Sequence, residues 1–131
     1  MGEKVLVESK VADSVKLIQE LDAGGKAPSL AAWYYYDDAN EWRLLLAGPA
    51  FGASLPKQEA VAYGYLVEAM ASLSLSSLTI SDLKLVDTNE PLPQALHSLI
   101  RTESDEIARA SLTNITLNGI FIKEMILLRS A

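Results

Sequence analysis

The chain has 131 residues, of which 50% are hydrophobic and 21% are charged, and it carries a net charge of −6 and no cysteine. A chain of this length forms one domain with its own core, and the absence of cysteine excludes disulfides, thiolate nucleophiles and cysteine-ligated metal centres. The acidic balance disfavours nucleic acid as a partner, because distant cations would have to gather on one surface, namely Arg43, Lys57, Arg101, Arg109 and Lys123.

The first predicted element is an amphipathic helix near the N-terminus, which Gly24-Gly25 ends. Its apolar residues recur at three- and four-residue spacing: Val7, Val11, Val15, Ile18 and Leu21. The first ten residues, MGEKVLVESK, are charged where a secretory signal would be apolar. No uncharged apolar stretch is long enough to span a bilayer. We therefore expect a soluble, cytoplasmic protein without a membrane partner.

Two strand-like runs follow, LAAWYYY and EWRLLLAG, and they flank an acidic turn over 37–41. In a hairpin with this turn, Tyr36 pairs with Trp42 and Tyr34 with Leu44 on one face. The other face then carries Tyr35 with Arg43 and Trp33 with Leu45. Because alternation divides the five aromatic rings between two faces, we interpret them as packing or interface residues rather than as one ligand cage.

A second helix is predicted after Ser54, which is a candidate N-cap, with Pro56 in the first turn. Its predicted apolar side consists of Val61, Leu66, Val67, Met70 and Leu73. Gly64 in the middle of this helix lowers its intrinsic stability, and we expect Gly64 to permit the close approach of another element.

The second half of the chain predicts a strand, a short helix and a hairpin. The strand covers Ile80 to Asp87, and Asn89-Glu90-Pro91 opens the helix. Inward positions of this helix are Leu92, Leu96, Leu99 and Ile100. Asn118-Gly119 between apolar runs is the strongest hairpin signal in the chain and pairs Leu117 with Ile120 and Ile115 with Ile122.

The element order α-β-β-α-β-α-β-β predicts a single α+β domain over 1–131, with three helices packed on one face of a mainly antiparallel five-stranded sheet. If the helices cover one face of this sheet, apolar side chains on the other face need cover from elsewhere. We expect Trp33, Tyr35 and Leu45 to form such an interface with a second subunit.

No motif in the sequence predicts a catalytic, cofactor or metal site. The loop DDANE does not have the ligand spacing of an EF-hand, and GPAFG has none of the phosphate-binding fingerprints. His97 is the only histidine, and no Gly-x-Ser-x-Gly elbow accompanies it. The acidic cluster Glu103, Asp105 and Glu106 is interpreted as a solvated loop.

Two functions from different classes remain. The first is a non-catalytic module of protein interaction or assembly that forms a homodimer or binds another protein. The alternative is a small-molecule-binding domain or a small enzyme, whose site would lie between sheet and helices and draw on Tyr34, Tyr36, Arg43 or His97.

Overall fold

The computed structural model describes residues 8–51 and 56–131, the side chains of residues 56–58 excepted. Its helices are α1 (Glu8–Ala23), α2 (Pro56–Ala71) and α3 (Pro91–Leu99), with one short 3₁₀ turn at Ile80–Asp82. Its strands are β1 (Leu30–Tyr36), β2 (Glu41–Ala47), β3 (Leu83–Leu85), β4 (Ala110–Leu117) and β5 (Ile120–Ser130). This order confirms the predicted α+β class. Val7 and the candidate cap Ser54 lie outside the described residues.

The five strands form one sheet in the order β3-β2-β1-β5-β4. Three of the four neighbouring pairs are antiparallel, and only β2 and β3 run parallel. The C-terminal strand β5 therefore lies inside the sheet, between β1 and β4. Both edges are formed by the strands that flank α3 in sequence.

The glycine pair after α1 ends that helix as predicted. Gly25 has a φ of 74°, and the N–H groups of Lys26 and Gly25 donate to the carbonyl oxygens of Leu21 and Asp22 at 2.8 and 3.2 Å. These two bonds define a Schellman motif, in which a left-handed residue satisfies carbonyls that the helix leaves unpaired.

The register of the β1–β2 hairpin differs from the predicted one by one residue. Trp33 lies opposite Leu44 and Tyr35 opposite Trp42, whereas Tyr34 lies opposite Arg43. The predicted pairs were wrong because the turn covers only residues 37–40, and Glu41 already belongs to β2. A shift of one residue exchanges the faces of one strand relative to the other.

The two faces of the sheet are covered unequally. One face, the α1/α2 face, packs against both sixteen-residue helices, and its core includes Trp33 from β1 and Leu44 from β2. The opposite face, the α3 face, packs against the nine-residue α3, with Leu96 of that helix at the centre of a second core. The predicted arrangement of all helices on one face is therefore wrong for α3.

Helix α2 buries a narrower face than its sequence predicts. Ala62 and Leu66 are fully buried, but Val61 and Val67 are each 54% exposed. Gly64 is exposed as well, and a Cβ atom built on it would meet no described atom within 4 Å. The close approach expected at Gly64 is thus not made within the described chain. In α3, Leu99 is 50% exposed rather than inward.

The β4–β5 hairpin has the predicted turn and register, with Asn118 and Gly119 at φ values of 48° and 82°. In addition, the alternation of buried and exposed residues changes phase in the middle of both strands. Along β4 the sequence of burial reads half-buried, exposed, half-buried, exposed and then runs in reverse. Asn114, at a φ of 50°, marks this change. As a result, all four half-buried residues of β4 pack against the α3-face core: Ala110, Leu112, Ile115 and Leu117.

Candidate functional site

The aromatic residues on the α1/α2 face of the first hairpin belong to the core. Trp33 is fully buried, and its indole Nε1 donates to the hydroxyl of Ser14 on α1 at 3.1 Å. Tyr35 stacks at a tilt on Trp42, with ring centroids 5.4 Å apart, and its hydroxyl donates to Asn40 Oδ1 at 2.6 Å. Rings held in this way by their own chain are packing residues.

The three residues expected at an interface do not share a face. Trp33 and Tyr35 lie under α1 and α2, and Leu45, on the α3 face, is only 1% exposed. Substitution of Trp33 would create a core cavity, so it would report on the stability of the fold and not on association.

The remaining aromatic residues of that hairpin lie on the α3 face and are half-buried. The rings of Tyr34 and Tyr36 are 4.9 Å apart, and Lys84 Nζ lies 5.1 Å from the centre of the Tyr36 ring. Arg43, directly opposite Tyr34, pairs with Glu41 at 3.2 Å. The structure thus brings together Tyr34, Tyr36 and Arg43, three of the four residues proposed for a ligand site.

A shallow cleft of about 240 Å³ opens at the turn end of this hairpin. The Tyr34 hydroxyl donates to the carbonyl oxygen of Phe121 at 3.4 Å, and Lys123 pairs with Asp37 at 3.2 Å. Partial burial, followed by the influence of Tyr36 and Asp38, raises the pKa of the Tyr34 hydroxyl above its ordinary value. This hydroxyl therefore acts as a hydrogen-bond donor at neutral pH and not as a base.

His97, the fourth residue, lies at the opposite end of β1. It lines a cleft of about 120 Å³ with Ser29, Leu30 and Ser130, and its own carbonyl oxygen accepts from Arg101 Nε at 3.2 Å. Leu30 and Tyr36 are six residue steps apart along an extended strand, which corresponds to about 20 Å. His97 and the tyrosines therefore do not form one site.

The three clefts lined by described residues offer little room for a small molecule. A third cleft, between α1 and α2, measures about 200 Å³ and is partly closed by Lys26, whose Nζ lies 4.8 Å from the Tyr65 ring centre. Ligand pockets enclose about 300–1,000 Å³, so each of these three clefts is smaller than that range. Among the described residues, no group of three or more His, Asp and Glu side chains is placed to hold a metal ion.

Three of the scattered cations are neutralised locally. Arg43 pairs with Glu41, Lys123 with Asp37, and Arg109 with Glu8 at the start of α1. The side chain of Lys57 lies outside the described part. An ion pair removes part of the positive potential that would attract phosphate, so these three residues make a poor electrostatic surface for nucleic acid.

Two buried charged residues escaped the sequence analysis. Asp13 on α1 is 1% exposed, and its Oδ2 accepts from the N–H groups of Ser76, Ser77 and Leu78 at 3.0, 2.7 and 2.9 Å. Burial alone would raise the pKa of the Asp13 carboxyl, but these backbone donors, together with Lys16, outweigh burial and hold the pKa below its ordinary value.

Arg129 on β5 is the second of these residues. Its side chain is fully buried and donates to both oxygens of Asp22 at 2.8 and 2.9 Å, while its Nε donates to the carbonyl oxygen of Glu106 at 2.9 Å. Both residues tie a loop or strand to α1, so their roles are structural. The sequence does contain a signal for both residues. Asp13 lies on the apolar face of α1, and Arg129 follows the apolar run of β5. A charged residue at such a position requires a partner when it is buried.

Partly exposed apolar residues lie on the α3 face and along β4. Half-buried apolar residues of β4 adjoin the core there, and Leu99 of α3 is 50% exposed. In the described part of the chain, β4 is paired with β5 alone, so its outer backbone edge has no strand neighbour.

The chain matches no protein-family model, no curated protein and no solved structure. Within the described residues, no helix has the length and hydrophobicity needed to cross a membrane.

Proposed function

We propose that this protein is a non-catalytic assembly module that associates with a second copy of itself. The observation that carries the proposal is the unequal cover of the sheet. Two sixteen-residue helices lie over the α1/α2 face, whereas one nine-residue helix lies over the α3 face. Apolar side chains at the edge of a single-helix layer retain water contact that a second polypeptide would remove.

The residues left at this margin support association rather than catalysis. Tyr34, Tyr36 and the half-buried residues of β4 form a rim of partly buried side chains that packs against the α3-face core. Aromatic and aliphatic side chains dominate this rim, and interface cores are enriched in aromatic residues and depleted in charge. The exposed Val61 and Val67 on α2 provide a second, separate apolar surface.

Sedimentation equilibrium of the purified chain at micromolar concentration tests the proposal. We expect a mass twice that of the monomer, with a reversible decrease towards the monomer mass on dilution. A matched run at high salt distinguishes an apolar contact from an ionic one. Salt screens surface ion pairs but does not screen the burial of apolar surface. Monomer mass at every concentration would contradict self-association.

A further inference from the structure

The burial pattern of the edge strand β4 reads the same in both directions. Its eight residues read Ala-Ser-Leu-Thr-Asn-Ile-Thr-Leu, and their burial pattern is symmetric about the point between Thr113 and Asn114. In a regular strand, residues at odd separation point to opposite faces. The change of phase at Asn114 removes this restriction, so Leu112 and Ile115 point to the same face.

We infer that β4 pairs antiparallel with β4 of a second copy about a two-fold axis at the 113/114 centre. This inference rests on the proposed self-association and specifies its surface. The axis places Leu112 opposite Ile115 and Ala110 opposite Leu117 of the second copy. The same register pairs Ser111 with Thr116 and Thr113 with Asn114, so apolar residues meet apolar residues and polar residues meet polar ones.

The cross-strand rows of the existing sheet continue through this contact. Within one copy, Ile115 lies opposite Ile122 and Leu112 opposite Met125. Across the axis a single row on the α3 face therefore runs through Ile122 and Ile115 and then through Leu112 and Met125 of the second copy. Since these residues belong to the α3-face core, the two cores join into one layer, and cross-strand apolar pairs of this kind stabilise sheets.

The absence of charge on β4 points to a strand partner. Edge strands are usually protected by lysine, proline or shortness. The other edge, β3, has three residues and an exposed lysine at its centre, Lys84. β4 has eight residues with no charged side chain and no proline. Its irregularity at Asn114 would disturb pairing with an unrelated strand, but at a two-fold axis the same irregularity is present in both copies.

The contact is isologous, so it closes on itself and ends at a dimer. Each copy contributes one β4, and the combined sheet continues as β5-β4-β4-β5 without a free strand at the junction. Both edges of the ten-stranded sheet are then formed by the short, lysine-bearing β3.

Cysteine trapping tests the inferred register, since the chain has no cysteine of its own. Ser111→Cys and Thr116→Cys chains are unfolded, mixed, refolded together and oxidised. Directly opposite residues in an antiparallel pair have Cα atoms about 4.5–5.5 Å apart, which suits a disulfide. We expect a cross-linked dimer on a non-reducing gel from the mixture only, because like positions of the two copies are five residues out of register, about 17 Å.

A charge at the axis tests the same contact without a covalent bond. Thr113→Lys brings two ammonium groups close together across the two-fold axis, and we expect the dimer dissociation constant to rise about tenfold or more. Gln19→Lys, at an exposed position on α1, is the matched control and should leave the constant unchanged.

The outcomes separate this inference from the broader proposal. A dimer that is unaffected by Thr113→Lys and gives no cross-link in the mixture would overturn the β4 contact while self-association stands. Cross-linking of either cysteine variant alone would also overturn the inferred register. A wild-type chain that is monomeric would remove both the contact and the proposed function.

Discussion

Asp13 shows how a single residue organises a long loop. Its carboxylate accepts three consecutive backbone N–H groups, from Ser76, Ser77 and Leu78, in a segment 63 residues further along the chain. Consecutive N–H groups that converge on one anion form a compact binding concavity. Residues 76–78, in the connection between α2 and the 3₁₀ turn, are thereby fixed to α1 although they belong to no helix or strand.

We expect Asp13→Asn to destabilise the fold by about 2 kcal/mol at neutral pH, because hydrogen bonds to a charged acceptor are worth about 1.5–3 kcal/mol. The pKa of this carboxyl is lowered in the folded state. Its stabilisation is therefore fully present above the pKa of the unfolded state and is lost as pH falls through the lower pKa of the folded state. Urea unfolding of both proteins between neutral and acidic pH measures the difference.

Asp105→Asn, at an exposed loop position, is the control and should change stability little at either pH. A gap between wild type and Asp13→Asn that stays constant from neutral pH to well below the unfolded pKa would show that the ionised form is not the source of the stabilisation.

At the scale of elements, two glycines with open space around them should respond in opposite ways to substitution by alanine. Neither Gly64 in α2 nor Gly119 in the β4–β5 turn would bring a new Cβ within 4 Å of a described atom. Gly119, however, has a φ of 82°, where a side chain is strained, whereas Gly64 occupies a helix. Backbone conformation alone therefore decides the sign of a substitution by alanine.

We expect Gly64→Ala to stabilise the fold by about 0.5–1 kcal/mol and Gly119→Ala to destabilise it by about 1–2 kcal/mol. Chemical denaturation of both variants beside wild type, at one low and one high protein concentration, gives the comparison. If Gly64→Ala instead weakened the protein only at high concentration, the α2 surface around Gly64, and not β4, would be the contact between copies.

The first hairpin shows which element properties the sequence specifies. Aromatic and aliphatic runs were enough to predict both strands of the hairpin. Its register depended on whether Glu41 ends the turn or begins β2, and both possibilities suit a polar residue at a strand end. The observed register places Trp33 in the core, where its indole donates to Ser14 of α1, and that contact is not encoded within the hairpin itself.

At the scale of the whole molecule, self-association makes thermal stability depend on concentration. A partner that binds only the folded state raises the apparent Tm by mass action. For a dimer of this size we expect Tm to rise by about 2–4 °C for each tenfold increase in protein concentration. Differential scanning calorimetry with a reversibility check measures this slope. A constant Tm over the full range would contradict a folded dimer.

Local signals predicted the class and the order of elements, and tertiary contacts decided the rest. Asn118-Gly119 predicted its turn because the required positive φ belongs to those residue types. The placement of α3 on the face opposite α1 and α2 has no local signal, since all three helices have an apolar side. The phase change at Asn114 was likewise missed, because neighbouring Thr113 and Ile115 fit an ordinary strand.

The position of β5 inside the sheet has a consequence for synthesis. Leu30 and Ser130 are neighbours across the β1–β5 pair, so one edge of β1 stays unpaired on the ribosome until β5 has been translated. At about 5–20 residues per second this interval lasts roughly 5–20 s. During this time the nascent β1–β2 hairpin, with its tryptophans and tyrosines, presents an open strand edge that can pair with other chains.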